Sequence, residues 1–326
     1  MTDDLVRHVR GVFLDVGTVG PSDLDLKVLQ QTLPEWSFPE SPGPEHTAAA
    51  IQDAAVVVSN KVRLDRDTLL QADRLKLICV AATGTNNVDL ATAAELGITV
   101  CNVRAYATAS VVEHVFLVIL ALARHLQEYR AAVRQGDWQN ADSFCLLDYP
   151  VRELAGQTLG IVGFGELGKA VARMGEAFGM QLLIAQRPGT PAVPGRTPLN
   201  DLLSESNIVS LHCPLTATTR DLITATELEL MRRDAILVNT ARGGIVNERA
   251  LLHALQTGQI GAAAVDVLSE EPPRSGNPLL ELSLPNLLIT PHIAWAGVNA
   301  RQTLVNEIAA NIRAFLDGRP RNVVQA

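Results

Sequence analysis

The sequence predicts an α/β protein made of two doubly wound, parallel-sheet units, and three observations support this. Short β-branched runs alternate with helical patterns along nearly the whole chain, an alternation that makes parallel sheets with helices on both faces. The alternation comes in two series, separated by a long helical pattern and an irregular stretch. The length, 326 residues, exceeds what one ordinary core holds and suits two domains.

In chain order, GVFLDV (11–16), AVVVSN (55–60), LKLICVAA (75–82) and ITVCN (98–102) read as strands of the first unit. Helices over DRDTLLQA and VDLATAAELG fall between them. The proline-rich LPEWSFPESPGPEH, residues 33–46, reads as a surface loop. One long helix is expected from about Ser110 to Tyr129. Its apolar part, Val115 to Ala123, is too short to span a bilayer and reads as buried. RQGDWQNADSFCLLDYPVREL (134–154) is irregular and aromatic, an arm rather than a core element.

The second series is TLGIVGF (158–164), MQLLIAQ (180–186), NIVSLHC (207–213), AILVNT (235–240), AAAVDVL (262–268) and NLLITP (286–291). Gly97, Gly179, Gly258 and Gly318 stand where helices need a left-handed cap. The closing amphipathic pattern, NARQTLVNEIAANIRAFLDG (299–318), is expected to cross back to the first unit.

Composition excludes several function classes. Apolar residues make up 47% and charged residues 19%, which argues for packed cores and against disorder. A net charge of −8 with no Lys/Arg run disfavours nucleic-acid binding. Cys79, Cys101, Cys145 and Cys213 are scattered without metal-ligand spacing, so they read as reduced thiols of a cytoplasmic protein that holds no metal. The N-terminal MTDDLVRHVR lacks an apolar signal core. No membrane association is expected.

Three constellations carry chemistry. Gly163, Gly165 and Gly168, in GFGELG, follow one strand and open a helix, as a dinucleotide-binding loop requires. The first allows the tight turn, the second lets pyrophosphate approach the backbone, and the third lets the helix pack on the sheet. Glu166 and Leu167 complete that loop. About 20 residues past such a loop an acid commonly holds the adenosine ribose. Here Gln186 and Arg187 stand there instead. Gln186 removes the repulsion a carboxylate would exert on a 2′-phosphate, and Arg187 supplies a planar cation, so the site is read as accepting NADP(H). The third set is spread over NTARGG with Arg242, AAAVDVLSEEPP with Asp266 and Glu271, and TPHIAW with His292. Each starts at the C-terminal end of a predicted strand, where open α/β sheets place ligands. Together they supply what reduction of an α-keto acid needs: a guanidinium clamp for the carboxylate, an imidazolium proton donor and a carboxylate to orient it.

With these blocks, and with ATGTNNVDL, CNVRAYATASVVEH, LHCPLTATTRDLI and VNTARGGIVNERAL, the chain resembles the D-isomer-specific 2-hydroxyacid dehydrogenases along nearly all its length. Its nearest likeness is to the bacterial glycerate dehydrogenase, or hydroxypyruvate reductase, subgroup. The resemblance implies hydride transfer between NAD(P)H and a small D-2-hydroxy acid or 2-keto acid, such as glycerate/hydroxypyruvate or glycolate/glyoxylate. It makes His292 the general acid/base, Glu271 its partner and Arg242 the substrate clamp. Asp266 would face the nicotinamide carboxamide. Thr108, Cys213, Pro214, Thr219, Thr240, Ala241 and Ala294 would line the cofactor with the glycine loop. Thr83 and Gly84 would bind the substrate carboxylate, with Lys61 nearby. The implied layout is a Rossmann cofactor domain, 104–296, inserted in a flavodoxin-like substrate domain, 1–103 and 297–326. The implied assembly is a homodimer embraced by an arm around 130–155. Two departures stand out: Ala105 and Ala107 where the family often has glycine, and Gln186 where it commonly has Asp. An alternative of another class stays open, because the same fold serves as a nucleotide-sensing corepressor. Formate dehydrogenase shares the architecture but pairs its histidine with Gln, so Glu271 counts against it.

Overall fold

Every pairing between the strands of both sheets in the computed structural model, which describes residues 9–187 and 189–325, is parallel, and Val323 adds a single antiparallel bridge to Cys101. Residues 1–8, which held most of the reading about a signal core, lie outside the described residues. The chain divides into two compact units. One runs up to Ala107 and resumes at Ala296; the other is Thr108–Trp295. The breaks therefore fall at Ala107 rather than 103 and at Trp295 rather than 296.

The first unit holds β1 (Arg10–Phe13), β2 (Glu35–Ser37), β3 (Val56–Ser59), β4 (Leu77–Val80) and β5 (Thr99–Cys101) in the order β2-β1-β3-β4-β5. This is the flavodoxin-like doubly wound order. Val12, Leu14, Val57, Ile78 and Val80 are buried in one apolar cluster, as strands covered on both faces must be. The short helices Arg66–Leu69 and Leu90–Glu95 begin at Asp65 and Asp89, whose carboxylates accept the N–H of Thr68 and Thr92. The closing helix, Val298–Leu316, belongs to this unit.

The proline-rich stretch departs from expectation. Residues 33–46 are not all loop, since Glu35–Ser37 form an edge strand beside β1 and Pro44 opens the helix Pro44–Ile51. Proline is tolerated beside an edge strand and at the first helical position, so Pro34, Pro39 and Pro44 punctuate the elements without preventing them. The indole of Trp36 lies over Gly11, where a Cβ would come within 2.9 Å of its ring.

The second unit holds β6 (Thr158–Val162), β7 (Gln181–Ile184), β8 (Ile208–Leu211), β9 (Ile236–Asn239), β10 (Ala262–Val265) and β11 (Leu287–Ile289), ordered β11-β10-β9-β8-β6-β7. Beyond β7, Thr197 makes a single parallel bridge to Ala185, with Gln186 N–H donating to the Thr197 carbonyl at 2.7 Å. With that one-residue strand the order becomes the doubly wound dinucleotide-binding one, reversing direction between β6 and β8.

The expected single helix from Ser110 to Tyr129 is two: Thr108–Ala123 and Leu126–Gln135, bent by 56°. The break is at His125, whose φ of 49° is left-handed and ends the first helix with no glycine or proline to announce it. Val115, Phe116, Val118 and Ile119 are buried as expected, while Leu117 is exposed. Among the described residues no single helix is long and apolar enough to cross a membrane. Residues 136–157 carry no helix or strand.

Candidate active site

Because the strands of the second unit are all parallel, their C-terminal ends lie along one edge of the sheet. The loops leaving that edge bear the predicted residues: Gly163 after β6, Gln186 after β7, Cys213 after β8, Thr240 to Arg242 after β9, Asp266 to Glu271 after β10, and His292 after β11.

The glycine loop sits at the point where strand order reverses. Gly163 has φ 97°, and a Cβ there would lie 2.5 Å from Cys213 N, so the loops after β6 and β8 touch through their backbones. A Cβ on Gly168 would lie 2.0 Å from the Gly163 carbonyl oxygen, which seats the helix Glu166–Ala177 against the turn. Gly165 is different: nothing lies within 4 Å of where its Cβ would be. It caps that helix without a side-chain acceptor, so the first N–H groups, at the positive end of the helix dipole, receive no cap from it. Thr240 Oγ1, after the central strand β9, is buried without a hydrogen-bond partner among the described residues. A glycine with open space, uncapped helix N–H groups and an orphan hydroxyl along one sheet edge suit a dinucleotide.

Other predicted contacts are occupied within the protein. The Thr108 hydroxyl donates to Glu166 Oε1, drawing that carboxylate aside at the start of the loop helix. Leu167 is half-buried. Thr219, buried, donates to the Pro214 carbonyl at 2.6 Å and accepts the Thr216 N–H at 2.7 Å. Its hydroxyl therefore closes the 214–219 turn. Cys213 is half-buried, and burial pushes its thiol pKa up, so it stays neutral. Burial likewise lowers the neighbouring His212 to about 4, and its Nε2 pairs with Ser210 Oγ at 2.9 Å.

The Gln186 amide is also spoken for. Its Nε2 donates to Thr190 Oγ1 and to the Pro191 carbonyl, each at 2.6 Å, and its Oε1 accepts the Val193 N–H at 3.3 Å. Gln186 therefore shapes the loop after β7, with Arg187 exposed beside it. Sequence reasoning overlooked Arg196 at the far end of this loop. Its guanidinium lies 4.6 Å from the ring centroid of Phe164, inside the glycine motif.

The acid–base pair is explicit. His292 Nδ1 lies 2.6 Å from Glu271 Oε2, while Glu271 Oε1 accepts the Leu268 N–H at 2.9 Å. A carboxylate can only accept, so the Nδ1–H donates to it and Nε2 is left as the imidazole's second site. His292 itself has a left-handed φ of 54°. Its N–H donates to the Asp266 carbonyl at 2.8 Å, and Trp295 Nε1 donates to the His292 carbonyl at 2.9 Å. The buried Asp266 carboxylate accepts the N–H groups of Ile293 and Ala294 at 2.9 Å each, and the Thr290 hydroxyl at 2.5 Å. Asp266 is thus a brace for the 290–294 loop, a role sequence reasoning missed. Ala294 is buried, and its carbonyl accepts the Ser110 hydroxyl at 2.7 Å.

Arg242 is exposed after β9. Asn239 shapes its turn, accepting the Ala241 N–H at 3.1 Å and donating to the Arg242 carbonyl at 3.0 Å. Gly243 follows because a Cβ there would lie 1.9 Å from the Leu268 carbonyl oxygen.

Lys61, Thr83 and Gly84 lie in the other unit, on loops after β3 and β4. Thr83 donates to the Val103 carbonyl at 2.9 Å, and Asn102 Nδ2 donates to the Thr83 carbonyl at 2.7 Å. The Lys61 backbone N–H donates to Asp15 Oδ2 at 2.6 Å, and those of Asn60 and Val62 also reach this buried carboxylate. Asp15 escaped sequence reasoning because its partners lie some 45 residues away. In the same unit Ala105 adopts φ 61°, where glycine would be unstrained. Among the described residues no cluster of His, Cys, Asp and Glu could hold a metal ion.

Residues 116–294 match the family described as D-isomer specific 2-hydroxyacid dehydrogenase, NAD binding domain. The chain is 46% identical over 310 residues to a glycerate dehydrogenase of Methylorubrum extorquens, covering 93% of this chain and 98% of that one. It is 35% identical over 320 residues to a hydroxypyruvate reductase of Blautia hydrogenotrophica, covering 96% and 98%. Among solved structures it is similar to an acyclic imino acid reductase in complex with NADPH and D-Arg, with TM-score 0.85, 26% identity, and 97% and 100% of the two chains covered.

Proposed function

Because this chain belongs to the D-isomer-specific 2-hydroxyacid dehydrogenases, oxidoreductases that work between a nicotinamide cofactor and a 2-hydroxy acid, we propose that it interconverts hydroxypyruvate with D-glycerate, or glyoxylate with glycolate, and prefers NADP(H). The observation that carries the reading is the His292–Glu271 pair at 2.6 Å on loops of the cofactor-domain sheet. The names of the two relatives support the choice of a short, hydroxylated keto acid.

The glycine loop, with Gly163, Gly165, Gly168 and the N–H groups after Gly165, would hold the cofactor's pyrophosphate. Thr240, Ala241 and Asp266 would lie toward its nicotinamide end. When bound, that group supplies the hydride for reduction or accepts it in oxidation. The rest is done by side chains. Arg242 pairs with the substrate carboxylate through two parallel N–H···O contacts. Thr83 and Gly84, on the loop after β4, would offer backbone N–H groups to a carboxylate. His292 as imidazolium gives its Nε2 proton to the ketone oxygen and takes it back in the reverse direction. Glu271 stabilises the imidazolium from Nδ1 and keeps Nε2 aimed outward.

Preference for NADP(H) rests on charge. No carboxylate ends β7, Gln186 is turned into its own loop, and Arg187 and Arg196 flank that loop with two cations. A 2′-phosphate carries close to two negative charges at neutral pH and pairs with guanidinium. The assembly proposed is a homodimer. The arm exposes Trp138, Phe144 at 90% and Leu147 at 82%, more apolar surface than an isolated loop keeps in water. The free thiols fit a cytoplasmic setting. A panel of 2-keto acids assayed with NADPH and NADH tests the reading. Highest kcat/KM for hydroxypyruvate or glyoxylate with NADPH is expected, whereas a best substrate with a bulky apolar side chain would overturn it.

A further inference from the structure

Behind the His292 loop lies a buried polar chain in which the proposed reaction uses only Asp266 and gives His114 and Thr290 no part. His114, on the helix Thr108–Ala123, is 9% exposed. Its Nε2 stands 3.1 Å from Thr290 Oγ1 and 3.8 Å from Asp266 Oδ1. Thr290 has one hydroxyl proton, and that proton is committed to Asp266 Oδ1 at 2.5 Å, because the carboxylate only accepts. The hydroxyl can then only accept from His114, so His114 carries a proton on Nε2. One chain of donors results: His114 to Thr290, and Thr290 to Asp266.

Asp266 in turn grips the loop that bears His292. Its carboxylate takes the N–H groups of Ile293 and Ala294, and its carbonyl takes that of His292. The grip matters because His292 sits at φ 54°, a left-handed conformation that is strained for a non-glycine residue. Such a conformation persists only where its surroundings over-determine it. The buried face of a long helix is a rigid place from which to do so.

We infer that His114 is a positioning residue for His292. By donating to Thr290 it fixes that hydroxyl's rotamer, keeps the Thr290 proton on Asp266, and so holds the strained loop from which the His292 imidazole reaches substrate. The inference rests on His292 being the proton donor of the reaction.

The test compares His114→Leu, His114→Gln, Thr290→Val and His292→Ala, with kcat, KM, NADPH dissociation constant by fluorescence, and melting temperature for each. Loss of aim costs turnover rather than binding, so His114→Leu is expected to lower kcat by roughly tenfold to a hundredfold with the NADPH constant unchanged. His114→Gln, which restores an amide donor near the Nε2 position, should recover most of that loss. Thr290→Val removes the middle of the chain and should match His114→Leu, serving in its place if the leucine variant fails to fold. Independently of activity, imidazole nitrogen NMR of the wild type should find His114 protonated on Nε2. Loss of kcat in His292→Ala with full kcat in His114→Leu and Thr290→Val overturns the inference and leaves the proposed function standing. Full kcat in His292→Ala overturns both. A His114→Leu variant that loses stability and NADPH affinity together, with no rescue by Gln, assigns His114 to packing and also overturns the inference.

Discussion

Replacing Gly165 by alanine separates cofactor binding from folding, and the structure gives the size of each effect. The backbone at Gly165, φ −77° and ψ −156°, is open to alanine, and nothing lies within 4 Å of the new Cβ. Substitution there removes glycine's freedom in the unfolded chain and is worth about 0.4–1 kcal/mol of stability. The melting temperature should hold or rise slightly. The methyl group, however, points into the space where pyrophosphate must meet the helix N-terminus, and NADPH affinity is expected to fall by about tenfold or more, about 1.4 kcal/mol. Gly168→Ala should behave in the opposite sense. Its Cβ would stand 2.0 Å from the Gly163 carbonyl, far inside the 3.4 Å where ordinary contact begins, so the helix must move. Such overpacking costs about 1–3 kcal/mol and should lower the melting temperature. Thermal melts and fluorescence titrations with NADPH on both variants decide the matter. A Gly165→Ala protein that binds NADPH like the wild type would refute the placement of the pyrophosphate.

Other outcomes follow from the same geometry. Arg242→Lys should raise KM for the keto acid and lower kcat, because a point charge cannot replace two parallel guanidinium contacts; unchanged kinetics would remove Arg242 from the site. Arg187→Ala should erode the NADPH advantage in kcat/KM by roughly tenfold, the worth of one charge-assisted hydrogen bond, and Arg187→Ala with Arg196→Ala should erode it further. Equal NADPH and NADH efficiencies in the wild type, untouched by either change, would show that neither cation meets the 2′-phosphate. His212 is held at about 4, below its ordinary 6.5, by burial. The unfolded chain therefore binds a proton between pH 6.5 and 4 that the folded one refuses, so stability should fall as pH drops through that window. His212→Gln should flatten the decline, and denaturant unfolding at several pH values measures it.

What the sequence disclosed and what it hid have physical reasons. The ten strands read from β-branched runs all formed, because buried parallel strands need nothing beyond such a run and a turn. The glycine loop was readable since its spacing is local: Gly168 answers to Gly163 five residues back, Gly163 to Cys213 just across the sheet, and Gly165 to the space left open for a ligand. Edge strand Glu35–Ser37 was hidden by prolines, which mark loops more often than edges. The bend at His125 was hidden because its left-handed φ falls on a residue carrying no turn signal. The braces of the site were invisible for another reason. Asp15 with residues 60–62, and His114 with Thr290, are pairs made by folding alone, 45 and 176 residues apart. Gln186 falls at the end of β7 as read, yet its amide turns into the loop it supports through contacts that no sequence pattern signals.

The most direct test of the central claim is turnover of hydroxypyruvate by wild type and His292→Ala, followed as loss of NADPH absorbance, with NADPH affinity measured on the same two proteins. Turnover is expected to drop by about 10²–10⁴-fold while affinity is kept, since the proton donor lies apart from the phosphate loop. Near-normal kcat in His292→Ala would contradict the claim.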